Sequence, residues 1–193
     1  MTDDDLAVLY AWPTEQCVRL NMVLDAAGLS TGHDNTSHSL ASAADRRVLR
    51  EIRREAEVII VGAKSVRREG WFLPPTGSLF VLSGSGDLPW KDCPDRTRVH
   101  VFSEPSALIH AALKAGRRIL CEGGLSTANI IDERLGFDQV ALTVHGDSEE
   151  ALGLITGLPL NFAEQHSLAS SENSEERFVL WRRAIPSAAE PQF

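Results

Sequence analysis

Glu122-Gly123-Gly124 follows a short apolar run and precedes a stretch of helical character, the arrangement of a tight turn from strand into helix. The amides and positive dipole end of such a helix can hold an anionic group without a cationic side chain, and glycine lets that group approach closely. The same pair can equally be an ordinary tight turn. Ser83-Gly84-Ser85 offers hydroxyls and amides in the same way, and neither segment matches GxGxxG or a Walker loop. Glu122, at a strand end beside a helix start, can orient a substrate or bond nearby backbone N–H groups. Asp25, at the end of the first strand, can supply or relay a proton, or serve as a turn carboxylate. His33 and His38 lie in a polar loop without the spacing that metal ligands need, so no metal site is read there. Cys17, Cys93 and Cys121 are odd in number and lack a CxxC pattern, and are read as buried thiols. Trp71 and Trp181 are read as core residues.

The elements that must position these groups follow from hydrophobic period. Val18, Leu20, Met22 and Leu24 alternate with Arg19 and Asn21, predicting a half-buried strand in which Asn21 shares a face with Val23. Gly28 to Ser39 has loop chemistry. Ser42-Ala-Ala-Asp45 reads as a capping box, and Val48, Leu49, Ile52 and Ala56 continue at helical spacing, with Glu57 ending a surface helix. Val58 to Val61 before Gly62 is a continuous apolar run, the mark of a strand covered on both faces of a parallel sheet. Further strands are predicted at Leu79–Leu82, Val99–Phe102, Arg118–Cys121 and Val140–Val144, with helices at Ser106–Ala115 and Ser126–Leu135. Arg177–Arg182 alternates as an antiparallel strand would. The fold class is therefore α/β, a mostly parallel mixed sheet with helices on both faces and an antiparallel pair at the C-terminus. Ligands of such sheets bind beyond the carboxyl ends of the strands, where Gly62, Ser83–Ser85 and Glu122–Gly124 fall. One domain is expected over 1–183, with 184–193 a loose tail.

The 193 residues carry 19 Lys+Arg against 27 Asp+Glu, a formal charge of −8. That balance lacks the positive field that nucleic-acid phosphates require. No run approaches the roughly 20 apolar residues needed to span a bilayer, and the acidic start MTDDDL is unlike a signal peptide. A cytoplasmic protein with neither nucleic-acid nor membrane partners is expected.

Three segments carry a resemblance to a known family: Arg19-Leu-Asn21-Met-Val with Ala44-Asp-Arg-Arg-Val-Leu, then Glu57-Val-Ile-Ile-Val-Gly-Ala-Lys-Ser-Val-Arg67, then Arg118-Ile-Leu-Cys-Glu-Gly-Gly124. Their order and spacing resemble the C-terminal pyrimidine-reductase domain of riboflavin biosynthesis and its stand-alone relatives of dihydrofolate-reductase-like fold. The resemblance implies a three-layer dihydrofolate-reductase-like domain, a homodimer, and hydride transfer from NADPH to a C=N or masked carbonyl carbon of a small heterocycle. It puts the cofactor at Gly62, Ala63, Ser65, Val66, Ser83, Gly84, Ser85, Gly123, Gly124, Leu125 and Ser126, and the chemistry at Asn21, Asp25 and Glu122. Substrate contacts fall at Ala27, Gly28 and Glu69. The family's first strand usually ends in an SLDG-like motif; here Ala27 occupies the place of its aspartate, and Asp25 reaches it only by a local shift. Ser83-Gly84-Ser85 lacks the family's basic residue, so NADH stands beside NADPH as cofactor. Those departures leave a second expectation, a reductase-fold protein that has lost redox catalysis and binds a small heterocycle or a protein partner.

Overall fold

The computed structural model describes residues 2–145, 162–169 and 176–183, the 162–169 segment by its backbone. The elements run α1 (Asp3–Leu9), β1 (Cys17–Leu24), α2 (Ala43–Arg54), β2 (Val58–Gly62), α3 (Ala63–Glu69), β3 (Ser78–Leu82), β4 (Val99–Phe102), α4 (Pro105–Ala115), β5 (Arg118–Cys121), α5 (Leu125–Arg134), β6 (Gln139–His145), β7 (Phe162–Ala169) and β8 (Glu176–Arg183). The strands form one sheet in the order β4-β3-β2-β5-β1-β6-β8-β7. All pairs from β4 to β6 are parallel, and β8 runs antiparallel between β6 and β7. The expected α/β class, mostly parallel sheet and antiparallel C-terminal pair are what the chain adopts.

Two apolar cores cover the sheet. Leu108, Ile109 and Ala112 of α4 and Ala128 and Ile131 of α5 pack on the face formed by Val18, Leu20, Ile60, Ile119 and Val140. On the other face, Leu6, Val48, Ile52 and Val66 from α1, α2 and α3 meet Ile59, Val61, Leu120 and Ala141. This is why β2 reads as an unbroken apolar run: all five of its residues are buried.

β1 departs from the half-buried strand expected. Its neighbours are β5 and β6, near the middle of the sheet, and only Asn21 escapes full burial. Arg19 supplied the misleading polar alternation. It is wholly buried, with Nε donating to Gln139 Oε1 at 2.8 Å and Nη1 and Nη2 donating to the Tyr10 and Ala11 carbonyls at 2.9 and 3.1 Å. The Trp12 ring lies 4.0 Å from the guanidinium carbon. A buried charge is tolerated when its donors are satisfied in this way.

Several boundaries also move. The acidic start is a helix, with Thr2 and Asp5 forming a reciprocal capping box and Leu6 buried. The turn after β2 continues as α3. α2 ends at Arg54, before Glu57, whose Oε2 accepts from the Arg117 and Arg118 amides at 2.6 and 3.0 Å. At the head of α2, Ser42 Oγ accepts from the Asp45 amide at 2.9 Å, one half of a capping box. The apolar residues Phe178 to Trp181 of β8 are buried. Cys17 and Cys121 are buried and Cys93 half-buried; burial pushes the first two thiols up to about 12. Trp181 is core, whereas Trp71 is half-buried beside Trp90. The tail 184–193 lies outside the described residues. Among the described residues no helix is long and apolar enough to cross a membrane.

Candidate active-site cleft

The carboxyl ends of β2 and β5 lie side by side, because Ile60 pairs with Cys121 and the Glu122 amide donates to the Ile60 carbonyl at 2.9 Å. Each strand then turns on glycine, and one side chain explains both. A Cβ on Gly62 would stand 2.6 Å from Thr127 Oγ1, and a Cβ on Gly123 would stand 2.5 Å from Thr127 Cβ. Thr127 of α5 thus packs into the space that both glycines vacate. Gly124 caps α5 in extended conformation, and a Cβ there would meet nothing. Thr127 and Ala128 make the first bonds of α5, both to the Gly124 carbonyl, which leaves the preceding amides of Leu125 and Ser126 at the helix mouth. No described peptide bond is cis, Gly123–Gly124 included.

These turns open on a cleft of about 530 Å³. α2 forms one wall through Asp45, Arg46, Leu49, Arg50 and Arg53, residues that helical spacing gathers on one face. Arg53 Nε donates to Glu122 Oε1 at 2.7 Å and Nη2 to Oε2, a two-pronged pair, while the guanidinium carbon lies 3.4 Å from the centre of the Phe72 ring. Arg46 and Arg50 make no ion pair with a described residue. Asn21 lines the floor from β1.

The polar loop after β1 completes the cleft with Ser30, Thr31, Ser37 and His38. It is tied to α3: Glu69 Oε1 accepts from the Ser37 amide and hydroxyl at 2.8 and 3.0 Å, and Arg68 Nη1 donates to the Asn35 carbonyl at 3.0 Å. Asp34 organises its tip. Hydrogen bonds from the Ser39 hydroxyl, and then from the amide and hydroxyl of Thr36, hold its carboxyl down to about 2. Asn35 beside it takes a φ of 59°, the left-handed region that asparagine tolerates.

Asp45 is the cleft's unusual carboxyl. It is 5% exposed, and its acidity is weakened chiefly by burial and further by the nearby Glu176 charge, against a hydrogen bond with Thr143 that acts the other way. A carboxyl whose acidity is weakened by burial, in a cleft, is suited to proton transfer. Among the described residues, no three His, Cys, Asp or Glu side chains are gathered as a metal site would need.

No protein-family model matches the sequence, and no curated protein does either. Solved structures do match. A pyrimidine reductase-like protein from Corynebacterium diphtheriae covers 96% of this chain, with all of its own length matched, at 18% identity and a TM-score of 0.66. Dihydrofolate reductase from Enterococcus faecalis, complexed with NADP(H), matches 89% of this chain and 98% of its own at 12% identity and a TM-score of 0.65. A riboflavin biosynthesis reductase from Saccharomyces cerevisiae matches 90% of this chain and 92% of its own at 10% identity and a TM-score of 0.61. The chain has the dihydrofolate-reductase-like fold.

Within that fold, Asn21, Ser65, Val66, Glu69, Glu122, Gly123 and Gly124 line one cleft. Gly62 and Ala63, and Leu125 and Ser126, belong to the two bends beside it. The other expected site residues stand apart from the lining. Asp25 Oδ1 accepts from the Ala27 and Leu29 amides at 2.9 and 2.8 Å, so Asp25, Ala27 and Gly28 form a carboxylate-closed turn. Ser83 to Ser85 lie past β3, where Ser83 Oγ accepts from the Gly86 amide at 3.0 Å and Ser85 Oγ from the Asp87 amide at 3.3 Å. Sequence reasoning missed Asp45, the arginine face of α2 and Thr127. The arginines at 46, 50 and 53 share one helix face, a signal that the surface-helix reading set aside.

Proposed function

We propose that this chain is a nicotinamide-dependent reductase that adds hydride to a C=N or masked carbonyl carbon of a small heterocycle. The observation that carries the reading is the juxtaposition, in one cleft, of a glycine-opened helix mouth with the buried Asp45 carboxyl. Open space at Gly124 suits the close approach of a cofactor diphosphate. The holding residues are the amides of Gly124, Leu125 and Ser126 with the Gly62–Val66 bend, and Ser83, Gly84 and Ser85 are assigned to the distant half of the dinucleotide. NADPH or NADH supplies the hydride when bound.

The chain's own residues do the rest. Asp45 holds a proton beside the site of reduction, and Thr143 fixes its orientation. Asn21 orients the heterocycle from the floor. Arg46 and Arg50 face the cleft and draw the anionic end of a substrate. Glu122 acts through Arg53, keeping that guanidinium against Phe72. The loop held by Glu69 limits water. Asp25 is assigned to shaping the turn at the end of β1.

Equilibrium titration with NADPH and NADH, followed by fluorescence of the reduced ring, tests the proposal. Saturable binding of one of them, weakened by Gly124→Val at the mouth of α5, is expected. Absence of binding to both at millimolar concentration removes the redox reading and leaves a binding protein on a reductase fold.

A further inference from the structure

Among the described residues, the arginines that line the cleft are not equivalent. Arg46 and Arg50 are exposed and without an ion pair, whereas Arg53 is already matched by a carboxylate. Its Nε and Nη2 donate to the two Glu122 oxygens, and a fork-on-fork pair of this kind holds the guanidinium in the plane of the carboxylate. The Phe72 ring covers one face of that plane, with its centre 3.4 Å from the guanidinium carbon. One donor group is left over. Nη1 carries two hydrogens and makes no hydrogen bond with a described residue. Nor is it shut away from water: among the described residues, the buried side-chain polar atoms without a partner are Arg118 Nε and the Glu176 carboxylate oxygens. Nη1 therefore opens on the cleft that Arg53, Glu122 and Phe72 line together.

We propose that Arg53 is a specificity-determining residue of the cleft, its Nη1 donating to a carbonyl oxygen of an uncharged heterocycle. The inference rests on the reading of the cleft as the seat of a small heterocycle and names the chemistry that the ring must carry. Charge decides the kind of acceptor. A second anion at Nη1 would lie across one guanidinium from the Glu122 carboxylate, and their repulsion would offset much of the gain. A carbonyl oxygen accepts from Nη1 without adding charge. Rigidity decides the selectivity. Glu122 and Phe72 hold the guanidinium in place before a ligand arrives, so little side-chain freedom is lost on binding. An occupant with no acceptor there strips water from two donors and returns nothing, which is how a site built for a hydrogen bond rejects the analogue that lacks it. An anionic substituent has its place instead along the exposed Arg46 and Arg50.

The test uses two uncharged bicyclic rings that differ in one oxygen: quinazolinone, which carries a lactam carbonyl, and quinazoline, which has none. Each is titrated into the full chain with ¹⁵N-labelled arginine side chains. The double variant Arg53→Met with Glu122→Leu assigns the Arg53 guanidinium signals and removes both charges together, so that neither is stranded. Quinazolinone is expected to bind about tenfold more tightly than quinazoline and to shift the Arg53 Nη1 signal as it saturates the protein, while quinazoline leaves that signal in place. The double variant, shown to be folded by its melting transition, is expected to bind both rings equally. If the pair is merely structural, the double variant changes the melting temperature and keeps the preference between the rings, which overturns the proposal. Equal affinity of the two rings for the unaltered protein overturns it too, as does absence of binding by either at millimolar concentration. No dinucleotide is present, so a chain that reads the carbonyl yet binds neither NADPH nor NADH keeps this inference and loses the reductase reading.

Discussion

The guanidinium of Arg53, next to last in α2, grips both carboxylate oxygens of Glu122 at the end of β5 while lying over the Phe72 ring. The side chains are 21% and 9% exposed, so the pair is shielded enough to matter and open enough to face a ligand. It clamps the helix that carries Asp45 to the strand that leads into Gly123-Gly124.

Removing one partner strands the other. Glu122→Gln is expected to cost about 2 kcal/mol, mostly from leaving the half-buried guanidinium without its carboxylate. Arg53→Lys is also destabilising, because an ammonium cannot donate in parallel to two oxygens or stack on Phe72 in the same way. Urea unfolding of both variants checks this; midpoints unchanged from the parent would show that the clamp contributes nothing.

Thr127 distinguishes the two glycine bends. At Gly62 the close atom is Thr127 Oγ1, with Cβ at 3.9 Å, whereas at Gly123 it is Thr127 Cβ itself. Gly62→Ala should therefore cost about 1–3 kcal/mol by overpacking and recover most of that loss when combined with Thr127→Ala. Gly123→Ala should be equally damaging and gain little from the same second change. Thermal melts of the four variants decide it, and equal rescue at both positions would contradict the geometry.

Asp45 ties stability to pH in a definite direction. Its folded value lies above the ordinary 3.8, chiefly through burial. The unfolded chain therefore releases the Asp45 proton first as pH rises, and stability falls from about pH 4 until the folded value is passed. Asp45→Asn removes this dependence, so the variant should gain on the parent as pH rises from about 4 through the raised folded value. Denaturation midpoints across that range are the measurement; a gap that does not widen with pH counts against a buried, proton-retaining carboxyl.

Glu57 has the opposite sign. Amide hydrogen bonds from Arg118 and then Arg117 hold its carboxyl below the ordinary 4.5. Its contribution is present above that value and disappears as pH falls through the lowered one. Glu57→Gln is expected to cost about 1 kcal/mol at pH 7, discounted for a side chain that is partly exposed, and almost nothing in strong acid. Comparison of the two proteins by guanidinium unfolding at both pH values tests the sign.

Most of the architecture was legible because its signals are local. The unbroken Val58–Val61 run marks a strand buried on both faces, and Gly116 and Gly136 punctuate the elements around α4 and α5. The errors arose where a partner distant in sequence changed the meaning of a residue. Arg19 looked like an outward position because its acceptors, the Tyr10 and Ala11 carbonyls and Gln139, come from elements that no pattern joins to it. Asp45 looked like a helix cap because Ser42 stands three residues before it. Its amide takes that bond, while its carboxyl turns to Thr143, almost a hundred residues on.

The sequence by itself determined the class of sheet, the strand order along the chain and the glycine turns at the carboxyl ends, since these follow from hydrophobic period and from backbone freedom within a few residues. Tertiary structure alone decided which of those turns share a cleft, and which carboxyls are free to act in it. Asp25 is bound into its own turn and Glu122 is held by Arg53, whereas Asp45 is buried beside Glu176. Burial and charge at a site are sums over groups that only the folded chain brings within a few ångströms, and no local spacing encodes them.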